Sequence, residues 1–160
     1  MKIIYKFKIL FYKKILKRDT MELEVERYRK LGANIGKNMR AFSPITSAEP
    51  YLLEFGDNIT VSEGVCFITH DNSAIKVIKN STDIFGRIKI GDNCFIGRNS
   101  IILPGVQLSK NIIVGAGSVV TKSFREDGVI IAGNPAKVIG RIDDFNSSKY
   151  ISRIFNNLDS

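Results

Sequence analysis

From Ile90 onward the sequence repeats every six residues, as IGDNCF, IGRNSI, ILPGVQ, LSKNII, VGAGSV and VTKSFR. Each unit opens on an aliphatic residue (Ile90, Ile96, Ile102, Leu108, Val114, Val120), and its fifth position is held to Cys94, Ser100, Val106, Ile112, Ser118 and then Phe124. Upstream, FGDNIT, VSEGVC and FITHDN keep the phase at Phe55, Val61 and Phe67, and IGKNMR begins it at Ile35. A period of six fits neither a helix nor a long alternating strand, which want 3.6 and 2. It fits a short strand plus a corner. The aliphatic side chain points inward once per flat side, Gly or Asn follows to permit the bend, and a small residue fits the narrow interior near the next corner. Three such sides close one coil, and stacked coils pair their backbones about 4.8 Å apart as in any sheet. The expected fold is an all-β solenoid.

The phase breaks between the hexads at Phe67 and Ile90. With one hexad removed, Ser73 to Lys89 remain, so residues 73–89 are expected to leave the coils as an excursion loop and return. Loops thrown from a repeat array are where binding and catalysis concentrate. A second irregularity, AFSPITSAEPYLLE between Ala41 and Phe55, suggests a distorted coil and assigns itself no role.

In these hexads the chain resembles the hexapeptide-repeat family of left-handed parallel β-helix proteins. The left hand, opposite to the usual crossover rule, is what the resemblance implies. The expected organisation is a basic N-terminal helical appendage over residues 1–31, a left-handed β-helix catalytic domain over 32–141, and a C-terminal tail over 142–160.

Composition bears on the ends of the chain. The net charge is +8, yet Lys2, Lys6, Lys8, Lys13, Lys14, Lys17 and Arg18 all precede the first acid, Asp19. The remainder is near neutral, so the charge describes a basic appendage and not a nucleic-acid-binding domain. Lysines every few residues exclude a spanning helix from 1–18. The segment can lie on an anionic membrane face as a peripheral contact, or pack as a terminal helix on its own oligomer. Two cysteines, Cys66 and Cys94, make no disulfide framework, and no secretory signal is recognisable. The expected location is cytoplasmic, with the inner membrane face as a variant of it.

The chain has one histidine, His70, in FITHDN at the root of the excursion. No metal is expected. Zinc sites of gamma-type carbonic anhydrases on this fold draw two histidines from one chain, and Cys66 and Cys94 lack ligand spacing. No paired carboxylates or nucleophile elbow stand out, which leaves His70 as the base, its ordinary pKa near 6.5 suiting proton uptake at neutral pH.

VGAGSVVTK (114–122) and IIAGNPAKVIGR (130–141) are similar to the coenzyme A groove of the hexapeptide-repeat acetyltransferases. By position, the resemblance implies acetyl-CoA as co-substrate, Ala116 and Thr121 flanking its pantetheine arm, and Lys122, Lys137 and Arg141 facing its phosphates. Arg98 joins this coenzyme set. It also implies that His70 is the general base on an acceptor hydroxyl, with Asp71 and Asn72 either binding and orienting the acceptor, orienting the imidazole, or merely forming a corner. Sites between the subunits of a homotrimer follow from the same resemblance. Within the family the chain is most similar to compact O-acetyltransferases of capsule, lipopolysaccharide and exopolysaccharide, related to the galactoside, maltose and xenobiotic enzymes, which implies a saccharide acceptor. N-acetylation of an amino sugar or small xenobiotic, and a non-catalytic trimeric scaffold, are the competing expectations.

Overall fold

The computed structural model describes residues 20–80 and 82–144. The basic segment 1–18 and the tail beyond residue 144 lie outside the described residues. Among the described residues one α-helix, α1 (Thr20–Lys30), is followed by short strands that fall in rotation onto three parallel sheets.

The first sheet stacks β1 (Asn34–Ile35), β3 (Leu53–Phe55), β8 (Ile88–Ile90) and β11 (Gln107–Leu108). The second stacks β2 (Arg40–Ala41), β4 (Thr60–Val61), β9 (Phe95–Ile96), β12 (Ile113–Val114) and β14 (Val129–Gly133), and ends on the antiparallel β15 (Ala136–Arg141). The third stacks β5 (Cys66–Phe67), β10 (Ile101–Ile102) and β13 (Val119–Val120). A separate antiparallel ribbon joins β6 (His70–Asp71) to β7 (Ile84–Phe85).

The hexad phase is visible in the pairing. Ile90 pairs with Leu108 and Ile96 with Val114, each eighteen residues on, which is three hexads per coil. Phe55 pairs with Ile90, thirty-five residues on, so the extra seventeen leave the stack and return without shifting its register. Ile35 pairs with Phe55, twenty residues on, and Thr46 with Cys66 likewise, so two additional residues enter between Thr46 and Leu53. The last coil is shortened instead. Phe124 bridges to Leu108, so it opens a new side on the first sheet and does not close the sixth hexad.

The hexad's opening residues fill the interior: Ile96, Ile102, Val114 and Val120 are fully buried. Each buried aliphatic side chain contributes roughly 1.5–3 kcal/mol before entropy is charged against it. Fifth positions are buried too, by aliphatic Val106 and Ile112 and by the small Cys94, Ser100 and Ser118, and the serine hydroxyls are satisfied by backbone. Ser100 Oγ donates to the Gly115 carbonyl at 3.0 Å and Ser118 Oγ to the same oxygen at 2.6 Å. The buried Cys94 thiol lies 3.1 Å from the Ser109 carbonyl, and burial pushes its pKa up to about 11, so it is a packing group and not a nucleophile.

Corners between the first and second sheets carry Asn38, Asn58, Asn93 and Asn111, all at positive φ, a conformation Asn tolerates better than most residues. Their neighbours tie the coils together: Asp57 Oδ1 accepts the Lys37 N–H at 2.7 Å, and Asp92 Oδ1 accepts that of Asp57 at 3.0 Å. The N-terminal end is closed by α1, which packs against β1 and β2 through Val25 and Tyr28, the Tyr28 hydroxyl donating to the Ile45 carbonyl. An array of coils needs such a cap because its terminal unit otherwise exposes the interior.

Candidate active site

His70 stands where the chain leaves the third sheet. Phe67 completes β5, Ile68 and Thr69 turn the corner, and β6 carries His70 outward opposite Phe85 of β7, with ring centroids 5.9 Å apart. The Gly86 N–H donates to the Thr69 carbonyl at 2.9 Å, fixing the return of the loop beside its departure. A Cβ at Gly86 would lie 2.3 Å from the Gly105 nitrogen, so only glycine fits at this crossing.

The imidazole has a partner that sequence reasoning missed. Glu49 Oε2 lies 3.0 Å from His70 Nδ1 and also accepts the Thr69 hydroxyl at 2.5 Å. Thr69 is 1% exposed; its Oγ1 accepts the Glu49 N–H at 3.3 Å and lies 3.2 Å from Ser47 Oγ. Glu49 is thus held by its backbone and its carboxylate through one buried hydroxyl. It sits in the two-residue enlargement of the first coil, immediately before the turn Pro50–Leu52. The irregular 41–55 segment therefore has a task, and its Glu-Pro pair at a phase slip was the available signal.

A carboxylate only accepts, so Nδ1 carries the hydrogen and Nε2 keeps its lone pair. The His70 side chain is 40% exposed and that of Glu49 16%, so the imidazole is open while its anchor is mostly covered. The hydrogen bond that Nδ1 donates to Glu49, then the Glu49 charge, raise the His70 pKa above the ordinary value against a smaller opposing effect of burial. Burial pushes the Glu49 carboxyl up, but its bonds to Thr69 and His70 together outweigh this and hold it below the usual range. The arrangement can take a proton at Nε2 and stabilise the resulting imidazolium.

Asp71 and Asn72 both perform structural tasks beside it. Asp71 Oδ1 accepts the Ser73 N–H at 2.8 Å and caps the short turn Asn72–Lys76, and Asn72 Nδ2 donates to Asp83 Oδ1 at 2.9 Å across the loop root.

The expected coenzyme residues fall on three separate places of one chain. Arg98 and Ala116 occupy successive coils at the corner between the second and third sheets, where the Gly117 N–H donates to the Arg98 carbonyl at 2.7 Å. Arg98 pairs with Glu63 at 2.8 Å. Thr121 and Lys122 follow β13 at the opposite edge of the third sheet, the edge of His70, with the Lys122 ammonium 5.8 Å from the Phe124 ring centre. Lys137 and Arg141 lie on β15, Arg141 paired with Glu126. An open depression of about 470 Å³ on the first sheet is lined by Glu54, Lys89, Gln107 and Arg125 among others, and neither His70 nor Glu49 borders it. Among the described residues no group of three His, Cys, Asp or Glu could hold a metal ion, and no helix is long and apolar enough to cross a membrane.

Comparison with known proteins agrees with this architecture. A family profile described as the hexapeptide repeat of succinyl-transferase matches residues 87–122. Protein CapG of Staphylococcus aureus is 44% identical over 139 residues, covering 84% of this chain and 78% of CapG. The galactoside O-acetyltransferase of Escherichia coli K12 is 32% identical over 126 residues, covering 77% of this chain and 62% of that protein, less than two thirds of its length. Among solved structures, a maltose O-acetyltransferase from Clostridium difficile 630 superposes with a TM-score of 0.64 at 26% identity, covering 88% of this chain and 85% of that one. A galactoside acetyltransferase in complex with coenzyme A shares the fold at a TM-score of 0.59 and 24% identity, covering 89% and 80%. With its hexad register, its excursion loop and relatives aligned over most of its length, the chain belongs to the hexapeptide-repeat acetyltransferases.

Proposed function

We propose that the protein is an acetyl-CoA-dependent O-acetyltransferase that acylates a saccharide hydroxyl, with His70 as general base. The observation that carries this reading is the Glu49 carboxylate on Nδ1, which leaves Nε2 free at the root of the excursion. His70 Nε2 accepts the proton of the acceptor hydroxyl as its oxygen attacks the thioester carbonyl. A backbone N–H receives the developing oxyanion, the C–S bond breaks as the C–O bond persists, and the imidazolium returns its proton to the departing thiolate. Glu49 is a positioning residue: it fixes the ring and compensates the charge that His70 acquires. No covalent enzyme intermediate is required.

Support for acetyl-CoA comes from the relatives, one of which is described as a complex with coenzyme A. In this reading Ala116 and Thr121 flank the pantetheine arm, and Arg98, Lys122, Lys137 and Arg141 face the phosphates. Arg98 and Arg141 would exchange exposed ion pairs for phosphate, a small sacrifice because such surface pairs stabilise little. Ala116 and Thr121 sit at opposite edges of the third sheet, five residues and about 15 Å apart along a strand. A ligand lying along the stacked coils follows one edge, so a single copy does not present both sets to it. Two copies side by side do, which supports sites between subunits; the left-handed prism and the homotrimer are what membership of the family adds to this reading. A flat prism face alone also offers too little concavity to bury a ligand. In this reading Asp71 and Asn72, at the loop root, contact the acceptor as well as hold the corner. The saccharide acceptor follows the galactoside and maltose names of the relatives. Residues 1–18 would contact the anionic inner face of the cytoplasmic membrane from a cytoplasmic location.

The test is acetyl-CoA consumption against a panel of nucleotide sugars, oligosaccharides and capsule fragments, with His70→Ala alongside. A loss of about 10²–10⁴-fold in the variant is the size general-base catalysis supplies. Full activity in His70→Ala would remove the base from the mechanism and favour an amine acceptor, and an absence of acetyl-CoA binding by calorimetry would favour the scaffold.

A further inference from the structure

The helix that closes the first coil carries more polarity than a cap requires. Apolar side chains such as Val25 cover the interior, yet the same buried face of α1 bears Glu24, 4% exposed, and Tyr28, 3% exposed. Arg27 reaches Glu24 Oε1 at 3.0 Å, and Oε2, inaccessible to solvent, makes no hydrogen bond. Burial pushes the Glu24 carboxyl up against the opposing pull of Arg27. A covered carboxylate with an unsatisfied oxygen is costly, and an apolar side chain of similar volume closes such an end as well or better.

Both polar groups converge on one piece of backbone. Spaced i, i+4, they lie on one face of the helix. The Tyr28 hydroxyl donates to the Ile45 carbonyl and faces the Ser47 N–H, while the Glu24 carboxylate faces the Ile45 N–H. Ile45 is 2% exposed, so its backbone groups have no water to turn to. Interior coils are flanked by others above and below. Here β5 pairs on one side with β10 and on the other with the bridge at Thr46, where the Phe67 N–H donates to the Thr46 carbonyl at 2.8 Å. Beyond that bridge α1 stands in place of a further coil, and side chains supply the bonds that a ladder would.

The segment so held leads to the imidazole. Ser47 Oγ lies 3.2 Å from Thr69 Oγ1, the Glu49 N–H donates to the same oxygen at 3.3 Å, and Glu49 Oε2 lies 3.0 Å from His70 Nδ1. The two additional residues of this coil enter between Thr46 and Leu53, so the hexad ladder does not set the path of the chain there. The place of Glu49 depends on what grips the corner, which is Thr69 on one side and α1 on the other.

We infer that α1 is a positioning element for His70: Tyr28, assisted by Glu24, fixes the Ile45–Ser47 backbone and thereby the Glu49 carboxylate on which the imidazole rests. The inference rests on the proposed reaction only in taking His70 as its base, and the grip on the ring is read without substrate.

Tyr28→Phe keeps the ring in the core and removes the hydroxyl alone. In the full chain, the His70 titration followed by NMR should move down toward the ordinary imidazole value, by about half the displacement that Glu49→Gln produces. In acetyl transfer kcat should fall about threefold with the KM for acetyl-CoA unchanged. Val25→Ala is the control for damage to the cap: it should lower the melting temperature and leave the titration in place. Should Tyr28→Phe fail to fold, Glu24→Leu decides the matter, because it closes the end while releasing the Ile45 N–H, and it should move the titration in the same direction. A wild-type midpoint in Tyr28→Phe, or in Glu24→Leu in its stead, would overturn the inference, and so would an equal displacement in Val25→Ala. Absence of acetyl transfer by the wild type, with the displacement observed, would remove the proposed reaction and leave the positioning role standing.

Discussion

Replacing Glu49 by Gln keeps the shape of the side chain, its ability to accept from Thr69 and its 3.0 Å approach to His70, while removing the charge. Charge-assisted hydrogen bonds are about twice as strong as neutral ones, and the imidazolium exists only once the acceptor has given up its proton. The loss therefore falls on the transition state, and kcat should drop about tenfold at high pH, well short of the cost of deleting the base. The pH profile distinguishes this from general damage. Glu49 raises the His70 pKa, so the wild-type rate climbs along a limb above the ordinary imidazole value. In Glu49→Gln that limb moves down, and the deficit should shrink toward low pH, where the variant has the larger fraction of neutral base. With one histidine in the chain, a single imidazole resonance reports the titration directly by NMR. Stability carries the same signature. The raised pKa means the pair stabilises the fold fully below the unfolded value of about 6.5 and loses that contribution as pH rises through the folded value. The melting-temperature gap between wild type and variant should accordingly close on going alkaline. An unmoved imidazole titration in Glu49→Gln, or a rate deficit independent of pH, would refute the assignment of Glu49 as the positioning group.

Thr69→Val should cost about 2 kcal/mol in urea denaturation by leaving the Glu49 N–H without its acceptor in a covered site, and should lower kcat, because the same hydroxyl holds the carboxylate. Gly97→Ala and Gly105→Ala should rank in a definite order. A Cβ at Gly97 meets the Ala116 nitrogen at 2.5 Å and the Val114 carbonyl at 2.6 Å, backbone atoms that cannot yield, whereas Gly105 has open space and only its φ of +80° to lose. About 3 kcal/mol is expected for the first and about 1 kcal/mol for the second, and equal midpoints in a denaturant series would contradict the ranking. Ile102→Ala, at a fully buried coil position, should cost 2–5 kcal/mol on the scale of other large-to-small core changes.

The coils were legible in the sequence because the period is enforced at every step. An aliphatic residue must enter a narrow interior once per side, so Ile90, Ile96 and Ile102 announce both the strand and its partner eighteen residues on. The length of the excursion followed from the same arithmetic, and the pairing of Phe55 with Ile90 returns it. Where the interior demand lapses, so does the signal. Phe124 reads as a fifth position by counting, but the last coil tightens and the residue opens a new side instead. Glu49 was marked only by the phase slip around it, for a related reason: it lies in an enlarged corner, and its partnership with His70, twenty-one residues away, runs between coils and leaves no periodic trace. Arg98, Ala116, Thr121 and Lys122 could be counted along the lattice, yet the sequence does not say that a sheet's width separates the first two from the others. That separation emerges only when the hexads are laid on their three faces.

The pairing of Phe55 with Ile90 across a seventeen-residue detour has a consequence for how such a chain can diverge. Neighbouring coils are matched by what each strand meets above and below, and the path between them is not consulted. A corner can therefore accept inserted chain of any length without disturbing a single rung of the ladder, as closing a longer loop adds cost only logarithmically. The loop root at His70 and the excursion's surface chemistry can thus be rewritten independently of the stack. In the proposed reaction, acceptor preference would then be a property of the detours, free to drift while the lattice that carries them stays fixed.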